Sequence, residues 1–173
     1  MIISQKDKPD FRLKLIDETD LENLRVWKNK NKEYFFHQSV ITKAQQISWY
    51  KDVYLTDKTN YMFVVEEKVG NGFMSVGCCG YRLKNDVVDV YNIMRGRKTG
   101  SEHQMSTAFM MMNAYIAKVL NYKITCVVLK QNPARSWYEK LGFEVVLIND
   151  EHVTYELNKN KIPDFELEVQ KND

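Results

Sequence analysis

The sequence predicts an α+β (α/β) fold, in which a mixed and mostly antiparallel sheet of about seven strands is flanked by four helices. Three observations predict it. Apolar and polar residues alternate in some segments, as in half-buried strands, and recur at helical spacing in others. Three strand segments in the middle of the chain are joined by short turns, which favours an antiparallel meander. The last two helical segments each lie between strand segments, so the predicted order is β-α-α-β-β-β-α-β-α-β-β.

The first third of the chain predicts one strand and two helices. Residues 11–16 read FRLKLI, and this alternation of apolar and basic residues is typical of a strand. Thr19 and Glu22 form a capping box that begins a helix, and Thr42 and Gln45 begin a second helix in the same way. The apolar positions of the two helices are Leu21, Leu24 and Trp27 in the first and Ile47, Tyr50, Val53 and Tyr54 in the second.

The central third predicts a meander followed by a helix and a strand. The meander strands cover residues 61–66, 73–83 and 87–94. Gly70 to Gly72 and Lys84 to Asp86 form the two turns, and their residues favour tight hairpin connections. A loop at residues 95–104 has almost no apolar side chain, residues 105–120 form a strongly apolar helix, and residues 124–129 form a strand.

Residues 130–143, KQNPARSWYEKLGF, predict a capped helix of about ten residues. Asn132 is a good N-cap, Pro133 suits the first helical position, and Gly142 suits the helix end. One interpretation is an amphipathic helix that packs on the sheet. The other is a ligand site, because a helix between two strands places its N-terminus at the sheet edge where ligands bind. The apolar face comprises Ala134, Trp137, Tyr138 and Leu141.

The end of the chain predicts a hairpin and then a tail. Residues 144–148 and 153–157 form two strands that are joined around Asn149 and Asp150. From residue 158 the sequence is mostly polar, which is typical of a frayed terminus. We therefore predict a single domain over residues 1–158 and a polar C-terminal tail over residues 159–173.

The composition excludes several classes of function. The 173 residues carry a formal net charge of +2, so no broad basic field indicates nucleic acid binding and no charge excess indicates disorder. No segment has the pattern of a secretory signal or a membrane span. Cys78, Cys79 and Cys126 lie in apolar runs, which indicates reduced core residues of a cytoplasmic protein. No metal is expected, because the histidines show no metal-ligand spacing.

The loop at residues 95–104, RGRKTGSEHQ, is a candidate anion site. It follows a strand and begins a helix, whose first N–H groups carry partial positive charge. Arg95, Arg97 and Lys98 add full charges, and the combination favours an anion such as a pyrophosphate. A solvated basic turn would have the same sequence pattern. The loop is not a P-loop, because the pattern G-x-x-x-x-G-K-[ST] is missing.

Residues 11–157 together resemble a GNAT-type N-acetyltransferase. The resemblance lies in the series of strand, basic loop, helix, strand and NPARSWYEKLGFE at residues 132–144. VWKN at residues 26–29 and ITKAQQISWY at residues 41–50 are similar to two branches, which acetylate protein N-termini, including those of ribosomal proteins, or amino groups of sugar nucleotides. The loop departs from the family pattern, since Glu102 stands where Gly or Ala is usual.

The resemblance implies that acetyl-CoA is the co-substrate. Its pantetheine would pair with the strand that ends at Ile93 and Met94, where this strand parts from the strand at residues 124–129. The Met94 N–H would stabilise the developing oxyanion, and the Tyr138 hydroxyl would donate a hydrogen bond to the leaving thiolate. The other implied cofactor contacts are Arg95, Lys98, Gly100, Ser101 and Gln104 for the phosphates, Asn132 for the pantetheine arm and Arg135 for the CoA phosphates.

The resemblance places the acceptor between the two N-terminal helices and the strand ends. Candidate contacts there are Trp27, Asn29, Tyr34, Phe35, Phe36 and His37. The aromatic residues at 34–36 would either stack on a sugar or base or plug the gap between helix and sheet. A base must take the proton of the acceptor ammonium. Asp89, Glu66 and His37 are the candidates, although each equally fits a structural or exposed side chain.

The sequence leaves the acceptor and the partners open. The expected acceptor is a small-molecule amine, such as an amino-sugar nucleotide, or a protein N-terminus. Lysines in the acceptor region favour an anionic acceptor, although lysines are also usual on a solvated helix. These lysines are Lys28, Lys30, Lys32 and Lys43. The alternatives are a CoA-binding module without catalysis and an interaction protein that has lost the cofactor. We expect a monomer or a homodimer, with no nucleic acid and no membrane as partner.

Overall fold

The computed structural model describes residues 1–98 and 103–171. The strands of these residues form one nine-stranded sheet in the order β7-β8-β6-β5-β4-β3-β2-β1-β9. The strands are β1 Ile2–Gln5, β2 Lys8–Leu15, β3 Asn60–Val69, β4 Gly72–Lys84, β5 Val87–Arg95, β6 Lys123–Leu129, β7 Phe143–Ile148, β8 His152–Leu157 and β9 Leu167–Gln170. All neighbours are antiparallel except β5 and β6. The predicted mixed, mostly antiparallel sheet is confirmed, and β1 and β9 are the strands that the sequence did not predict.

Helices cover both faces of the sheet. Within the described residues the α-helices are α1 Leu21–Lys30, α2 Lys43–Ser48, α3 Gln104–Val119 and α4 Arg135–Lys140. A π-helical segment, Trp49–Tyr54, continues α2 directly. None of the helices in the described ranges is both long and apolar enough to cross a lipid bilayer.

The sheet separates two hydrophobic layers. The larger layer lies under α3 and α4 and includes Phe63 and Cys79. The smaller layer lies under α1 and the π-helical segment and includes Met62 and Cys78. Neighbouring residues belong to different layers because successive side chains of a strand point to opposite faces. The predicted opposite orientation of Cys78 and Cys79 is therefore confirmed, and Cys126 is a buried thiol like them.

The cap of α1 lies earlier than predicted. Asp17 and Asp20 form the capping box: Asp17 accepts from the Thr19 N–H at 2.9 Å, and the Asp17 N–H donates to Asp20 at 3.0 Å. The predicted cap at Thr19 is wrong because a single 3₁₀ turn precedes α1 and takes the cap for itself. At α2 the predicted box of Thr42 and Gln45 is confirmed.

The second helix changes from α-helical to π-helical hydrogen bonding after Ser48. In the segment Trp49–Tyr54 the backbone widens to the π-helical spacing, which redirects the side chains. Tyr50 and Tyr54 therefore stack in the core with ring centroids 5.6 Å apart. Ile47 and Val53 are exposed. The predicted apolar side is thus right for the two tyrosines and wrong for Ile47 and Val53.

The prediction of a frayed tail is wrong for residues 167–170, which form β9. Strand β9 pairs antiparallel with β1 at the far edge of the sheet, and its alternate side chains are half buried. Lys118 in α3 fixes the chain that leads to this strand. Its Nζ lies 2.8 Å from a carboxylate oxygen of Asp164 and donates to the Phe165 carbonyl oxygen at 2.8 Å. Strand pairing and these contacts order a segment that is polar in composition.

Helix α4 is shorter than predicted, with 6 residues. Asn132 does not begin the helix, because its Oδ1 accepts from the Ala134 N–H at 2.9 Å and folds this stretch into a separate turn. Gly142 ends the helix as predicted, with φ of +90°. Trp137 holds α4 against α3 through an Nε1–H that donates to Ser106 Oγ at 2.9 Å.

Candidate active site

Strands β5 and β6 part at the centre of the sheet. They pair at three positions only, and the last of these joins Asp89 to Thr125. Beyond that point β5 continues to Arg95 and β6 to Leu129, with no further pairing between them in the described residues. The backbone groups that face each other here are therefore not used by the ladder, and they border a wedge-shaped gap. The parting that the resemblance implied is present.

A β-bulge shapes the β5 side of the gap. The register of β5 against β4 shifts between Tyr91 and Met94, so Asn92 and Ile93 together oppose one residue. Asn92 has φ of +51°, in the left-handed region. Asn adopts this conformation more readily than most residues because its short polar side chain can bond locally. The bulge bends β5 at the level where β6 diverges.

Two side chains hold the bulge. Lys28 Nζ donates to Asn92 Oδ1 at 2.6 Å, and the Cys78 thiol donates to the Asn92 carbonyl oxygen at 3.3 Å. The Lys28 ammonium also lies over the Phe35 ring, 3.3 Å from its centroid. The pKa of Lys28 is lowered to about 8, mainly by burial and also by the charge of Arg82, while Cys78 opposes the change. Burial raises the pKa of the Cys78 thiol to about 12.

The two predicted pantetheine contacts in β5 face different layers. Ile93 is half buried against the α3 layer, whereas Met94 is buried in the α1 layer. The Met94 N–H acts on the Cys78 thiol and opposes the rise of its pKa. The amide is therefore directed toward β4, and its role as an oxyanion donor stays a prediction.

Tyr138 lies in a cluster of aromatic rings between α3, α4 and the C-terminal strands. Its ring centroid is 5.0 to 6.2 Å from those of Phe109, Trp137, Phe143 and Tyr155. The residue is 7% exposed, and burial raises the pKa of its phenol. In the described ranges the fully buried polar side-chain atoms without a partner belong to Asn113. The Tyr138 oxygen is not among them, and it has no hydrogen-bond partner there. It is a neutral donor on the helix that follows β6.

The loop after α1 crosses the end of β6. The Asn132 Nδ2 donates to the Tyr34 carbonyl oxygen at 3.3 Å. The Phe36 ring contacts the His152 ring edge to face, with centroids 5.9 Å apart. These contacts place Tyr34 and Phe36 near the C-terminal end of β6, while His37 is exposed. The contact of all three residues with an acceptor stays a prediction. Two surface cavities, of about 510 and 260 Å³, lie outside this region.

Trp27 and Asn29 have structural contacts in α1. The Trp27 indole is buried and packs so closely on Gly96 that a Cβ at this glycine would overlap the ring. The Asn29 amide donates to the Ile41 carbonyl oxygen at 2.9 Å and accepts from the Ile41 N–H at 2.8 Å. Trp27 thus fixes the chain that leaves β5, and Asn29 fixes the loop before α2. Their contact with an acceptor stays a prediction.

The two carboxylates that the sequence suggested as bases are both paired. Glu66 lies 2.7 Å from Arg12 Nε in the half of the sheet away from the gap. Asp89 lies at the last pair before the strands part, and its carboxylate is 2.7 Å from Lys84 Nζ. The structure therefore brings Asp89 to the apex of the gap and leaves Glu66 outside it.

The phosphate end of the predicted site lies between β5 and α3. Arg95 and Lys98 are exposed there, and the His103 side chain makes no cap hydrogen bond to α3. Gln104 is buried and donates to a Glu67 carboxylate oxygen at 2.8 Å. The predicted contacts Gly100 and Ser101 lie outside the described residues. Exposed cations thus end the described chain after β5, and phosphate binding by these residues stays a prediction.

Arg135, the last predicted cofactor contact, opens α4. Its Nε donates to the Tyr155 hydroxyl at 3.2 Å, and this contact raises the pKa of the guanidinium. Tyr155 in turn donates to a Glu139 carboxylate oxygen at 3.1 Å. The side chain is held along α4 and β8, so its phosphate contact stays a prediction.

The position of Lys28 differs from the sequence prediction. Lys28 is one of four lysines predicted in the acceptor region, whereas the structure places its ammonium at the bulge. The signal was spacing: Lys28 follows Leu21 and Leu24 at seven and four residues, within the apolar stripe of α1. A lysine in such a stripe buries its stem and needs a partner for its ammonium.

The fold is that of the GNAT N-acetyltransferases. It is similar to apo FdhC, a nucleotide-linked sugar GNAT, with a TM-score of 0.73, 16% identity and 88% of this chain and 89% of that chain covered. It is also similar to a spermidine N-acetyltransferase from Vibrio cholerae in complex with CoA and spermine, with a TM-score of 0.69 and 19% identity over 88% of this chain and 98% of that chain. A third similar structure is a GCN5-related N-acetyltransferase from Brucella melitensis, with a TM-score of 0.72 and 17% identity over 93% of this chain and 80% of that chain. The predicted fold is confirmed. No family model and no curated protein matches the chain.

Proposed function

We propose that this protein is an acetyl-CoA-dependent N-acetyltransferase that moves an acetyl group to a primary amine by direct attack on the thioester. The observation that carries the proposal is the parting of β5 and β6 beyond Asp89 and Thr125. Tyr138 lies on the helix that follows β6, in the aromatic cluster of the α3 layer, and the proposal is that its hydroxyl reaches the thioester in this gap. An open ladder beside a proton donor suits a reaction in which an extended thioester is bound between two strands.

The residues around the gap fit the co-substrate. Acetyl-CoA supplies the activated acetyl thioester when it is bound. The backbone of Ile93 lies beyond the last β5–β6 pair and would hold the extended arm. The Met94 N–H would have to turn from the Cys78 thiol to do so. Arg95 and Lys98 are exposed near the N-terminus of α3, where they would hold phosphates. Asn132 donates to the Tyr34 carbonyl oxygen in the loop after α1, and it would have to release this bond to contact the arm.

Tyr138 would act as a hydrogen-bond donor to the leaving thiolate. Its raised pKa keeps the phenol neutral, because burial disfavours the phenolate. An ordinary phenol has a pKa of about 10 and a thiol about 8.5, so full proton transfer is already uphill by about 2 kcal/mol. The raised pKa makes transfer harder still. Tyr138 would therefore stabilise the thiolate by a hydrogen bond and keep its proton.

A small-molecule acceptor, such as an amino-sugar nucleotide, fits the covered end of β6 better than a protein N-terminus. The contacts of Asn132 with Tyr34 and of Phe36 with His152 cover the end of β6. The Phe36 ring is 59% exposed, which leaves a face for stacking on a sugar or a base. A solved protein of this fold, FdhC, is described as a nucleotide-linked sugar GNAT.

Thiol release from acetyl-CoA over a panel of amines tests the proposal. The panel contains an amino-sugar nucleotide, free amino sugars, amino acids, spermidine and a short peptide with a free N-terminus. Acetyl transfer to any of these amines above the rate without protein supports an enzyme. Acetyl-CoA binding without turnover on any amine supports the alternative, a non-catalytic CoA-binding module, which is motivated by Glu102 in the loop.

A further inference from the structure

The ammonium of Lys28 lies on the face of the sheet that α1 covers, which is the predicted acceptor side. It reaches from α1 to the β5 bulge, where Nζ donates to Asn92 Oδ1 at 2.6 Å. The Phe35 ring covers it from the loop after α1, at 3.3 Å from the centroid. These partners are an amide and an aromatic face, and both favour a charged ammonium. Neither partner carries a negative charge.

The groups that face Lys28 include no carboxylate partner. β4 contributes the Cys78 thiol and the Arg82 guanidinium, which both act on the pKa of Lys28, and β5 contributes Asn92. In the described ranges no acidic side chain lies within ion-pair distance of Lys28. Phe35 from the loop completes its surroundings. Lys28 is thus a largely buried cation that the described chain does not neutralise.

Arg82 adds a second cation to the same face. Its guanidinium lies over the Tyr91 ring, 4.1 Å from the centroid. Tyr91 donates to Asn60, so its hydroxyl is occupied. Asp89 lies opposite Arg82 in the strand register, but its carboxylate contacts Lys84 at 2.7 Å. Arg82 is therefore a second cation that acts on the pKa of Lys28, and the carboxylate opposite it in the strand register is bound to Lys84.

This arrangement has an energetic consequence. A buried cation is unfavourable unless it is paired, and desolvation is the main reason that the pKa of Lys28 is lowered. An ammonium has three N–H donors, of which Asn92 accepts one. An anionic group brought by a ligand would supply both the missing charge and a further acceptor. A polycation would instead be repelled by Lys28 and Arg82.

We propose that Lys28 is an anion-binding, specificity-determining residue of the acceptor side, so that the preferred acceptor is an amine that also carries a phosphate or a carboxylate. This inference rests on the proposed N-acetyltransferase function. It names the class of substrate and excludes polyamines as preferred acceptors. The spermidine N-acetyltransferase of the same fold is described with spermine, so the inference predicts a different preference for this chain.

The test compares matched amines on the full chain. Glucosamine 6-phosphate against glucosamine tests the phosphate, glycine against glycinamide tests the carboxylate, and spermidine tests the polycation. Lys28→Met removes the charge and keeps an apolar stem against Phe35. Lys30→Met is the matched control, because Lys30 is an exposed lysine on the same helix. The readout is the ratio of kcat/KM for the charged and the uncharged member of each pair.

We expect the wild type to favour the anionic member of at least one pair. Lys28→Met should reduce this preference by about ten-fold or more. Lys28→Arg should keep it, and Lys30→Met should leave the ratio unchanged. Equal kcat/KM within both pairs, a preference for spermidine, or a preference that survives Lys28→Met would overturn the inference while the acetyltransferase function stands.

Direct binding separates this inference from the proposed function. Inorganic phosphate and glucosamine 6-phosphate are titrated without acetyl-CoA, and the pKa of Lys28 is followed by NMR. Binding should raise the pKa of Lys28, and Lys28→Met should weaken the binding of glucosamine 6-phosphate. A Lys28 pKa that neither ligand changes overturns the inference even if no amine is acetylated. Absence of turnover with a ligand-dependent pKa would contradict the proposed function alone.

Discussion

Lys28 Nζ donates a 2.6 Å hydrogen bond to Asn92 Oδ1, which joins helix α1 to the left-handed bulge residue of β5. The bond links the acceptor side of the sheet to the strand that borders the gap. The Cys78 thiol holds the carbonyl oxygen of the same residue. The position of the bulge thus depends on contacts from both α1 and β4, and substitutions at Asn92 should report on it.

Asn92→Ala should lower the free energy of unfolding by about 1 to 3 kcal/mol. Alanine is strained at φ of +51° and cannot accept from Lys28. Asn92→Gly is the matched variant, because it loses the same hydrogen bond and tolerates positive φ. Urea unfolding of the three proteins measures both effects. Equal stability of the alanine and glycine variants would contradict the assigned backbone conformation.

Tyr138→Phe should lower kcat by about ten-fold or more and leave the KM for acetyl-CoA nearly unchanged. The hydroxyl would bond the thiolate that develops in the transition state, whereas the ring packing stays. Stability should change little, because the hydroxyl has no hydrogen-bond partner in the described ranges. Trp137→Phe on the same helix is the control for packing. An unchanged kcat in Tyr138→Phe would remove this residue from the mechanism.

Gly96→Ala should destabilise the protein by about 1 to 3 kcal/mol, because an added Cβ would overlap the buried Trp27 indole. The displaced chain begins the basic loop, so acetyl-CoA affinity should fall as well. Gly72→Ala is the matched control, since a Cβ there meets no atom within 4 Å. Thermal unfolding and calorimetric titration measure the two effects. A Gly96→Ala protein as stable as Gly72→Ala would show that Trp27 does not pack as described.

Lys28 should make stability depend on pH. The pKa of Lys28 is lowered from 10.5 to about 8 on folding. Below about pH 8 both states hold the proton, so the folded state carries the full penalty. Between the two pKa values the folded state loses its proton first, and stability rises with pH. Above the unfolded value the penalty is gone.

Lys28→Met lacks this titration, so its stability advantage over the wild type should be largest at pH 7 and shrink by pH 10. This stability advantage has an upper limit of about 3 kcal/mol, from which the contribution of the hydrogen bond to Asn92 must be subtracted. Urea unfolding at both pH values measures it, with Lys30→Met as the control for other titrating groups. A difference between Lys28→Met and wild type that is the same at pH 7 and pH 10 would contradict an unpaired, buried ammonium.

Local chemistry explains most of what the sequence predicted. Gly70 and Asn85 have φ of +59° and +52° in the two turns of the meander, as residues that favour such turns should. Period-two alternation placed Cys78 and Cys79 on opposite faces. Such features depend on neighbouring residues along the chain, so a sequence pattern is enough to predict them.

The features that the sequence did not predict depend on tertiary contacts. Strand β9 is four residues long and is ordered by pairing with β1. The π-helical segment Trp49–Tyr54 departs from the expected α-helical spacing, and Val53 within it is exposed. The Lys28 ammonium bonds to Asn92 in the bulge of β5, and no local sequence pattern indicates this bulge. The parting of β5 and β6 was expected only through resemblance, because strand pairing is not encoded within either strand.

The most direct measurement is a crystal structure of the protein with CoA. We expect the pantetheine to lie between β5 and β6 beyond the Asp89–Thr125 pair, with its sulfur beside the Tyr138 hydroxyl and its phosphates near the N-terminus of α3. CoA bound elsewhere, or β5 and β6 paired along their full length, would contradict the proposed function.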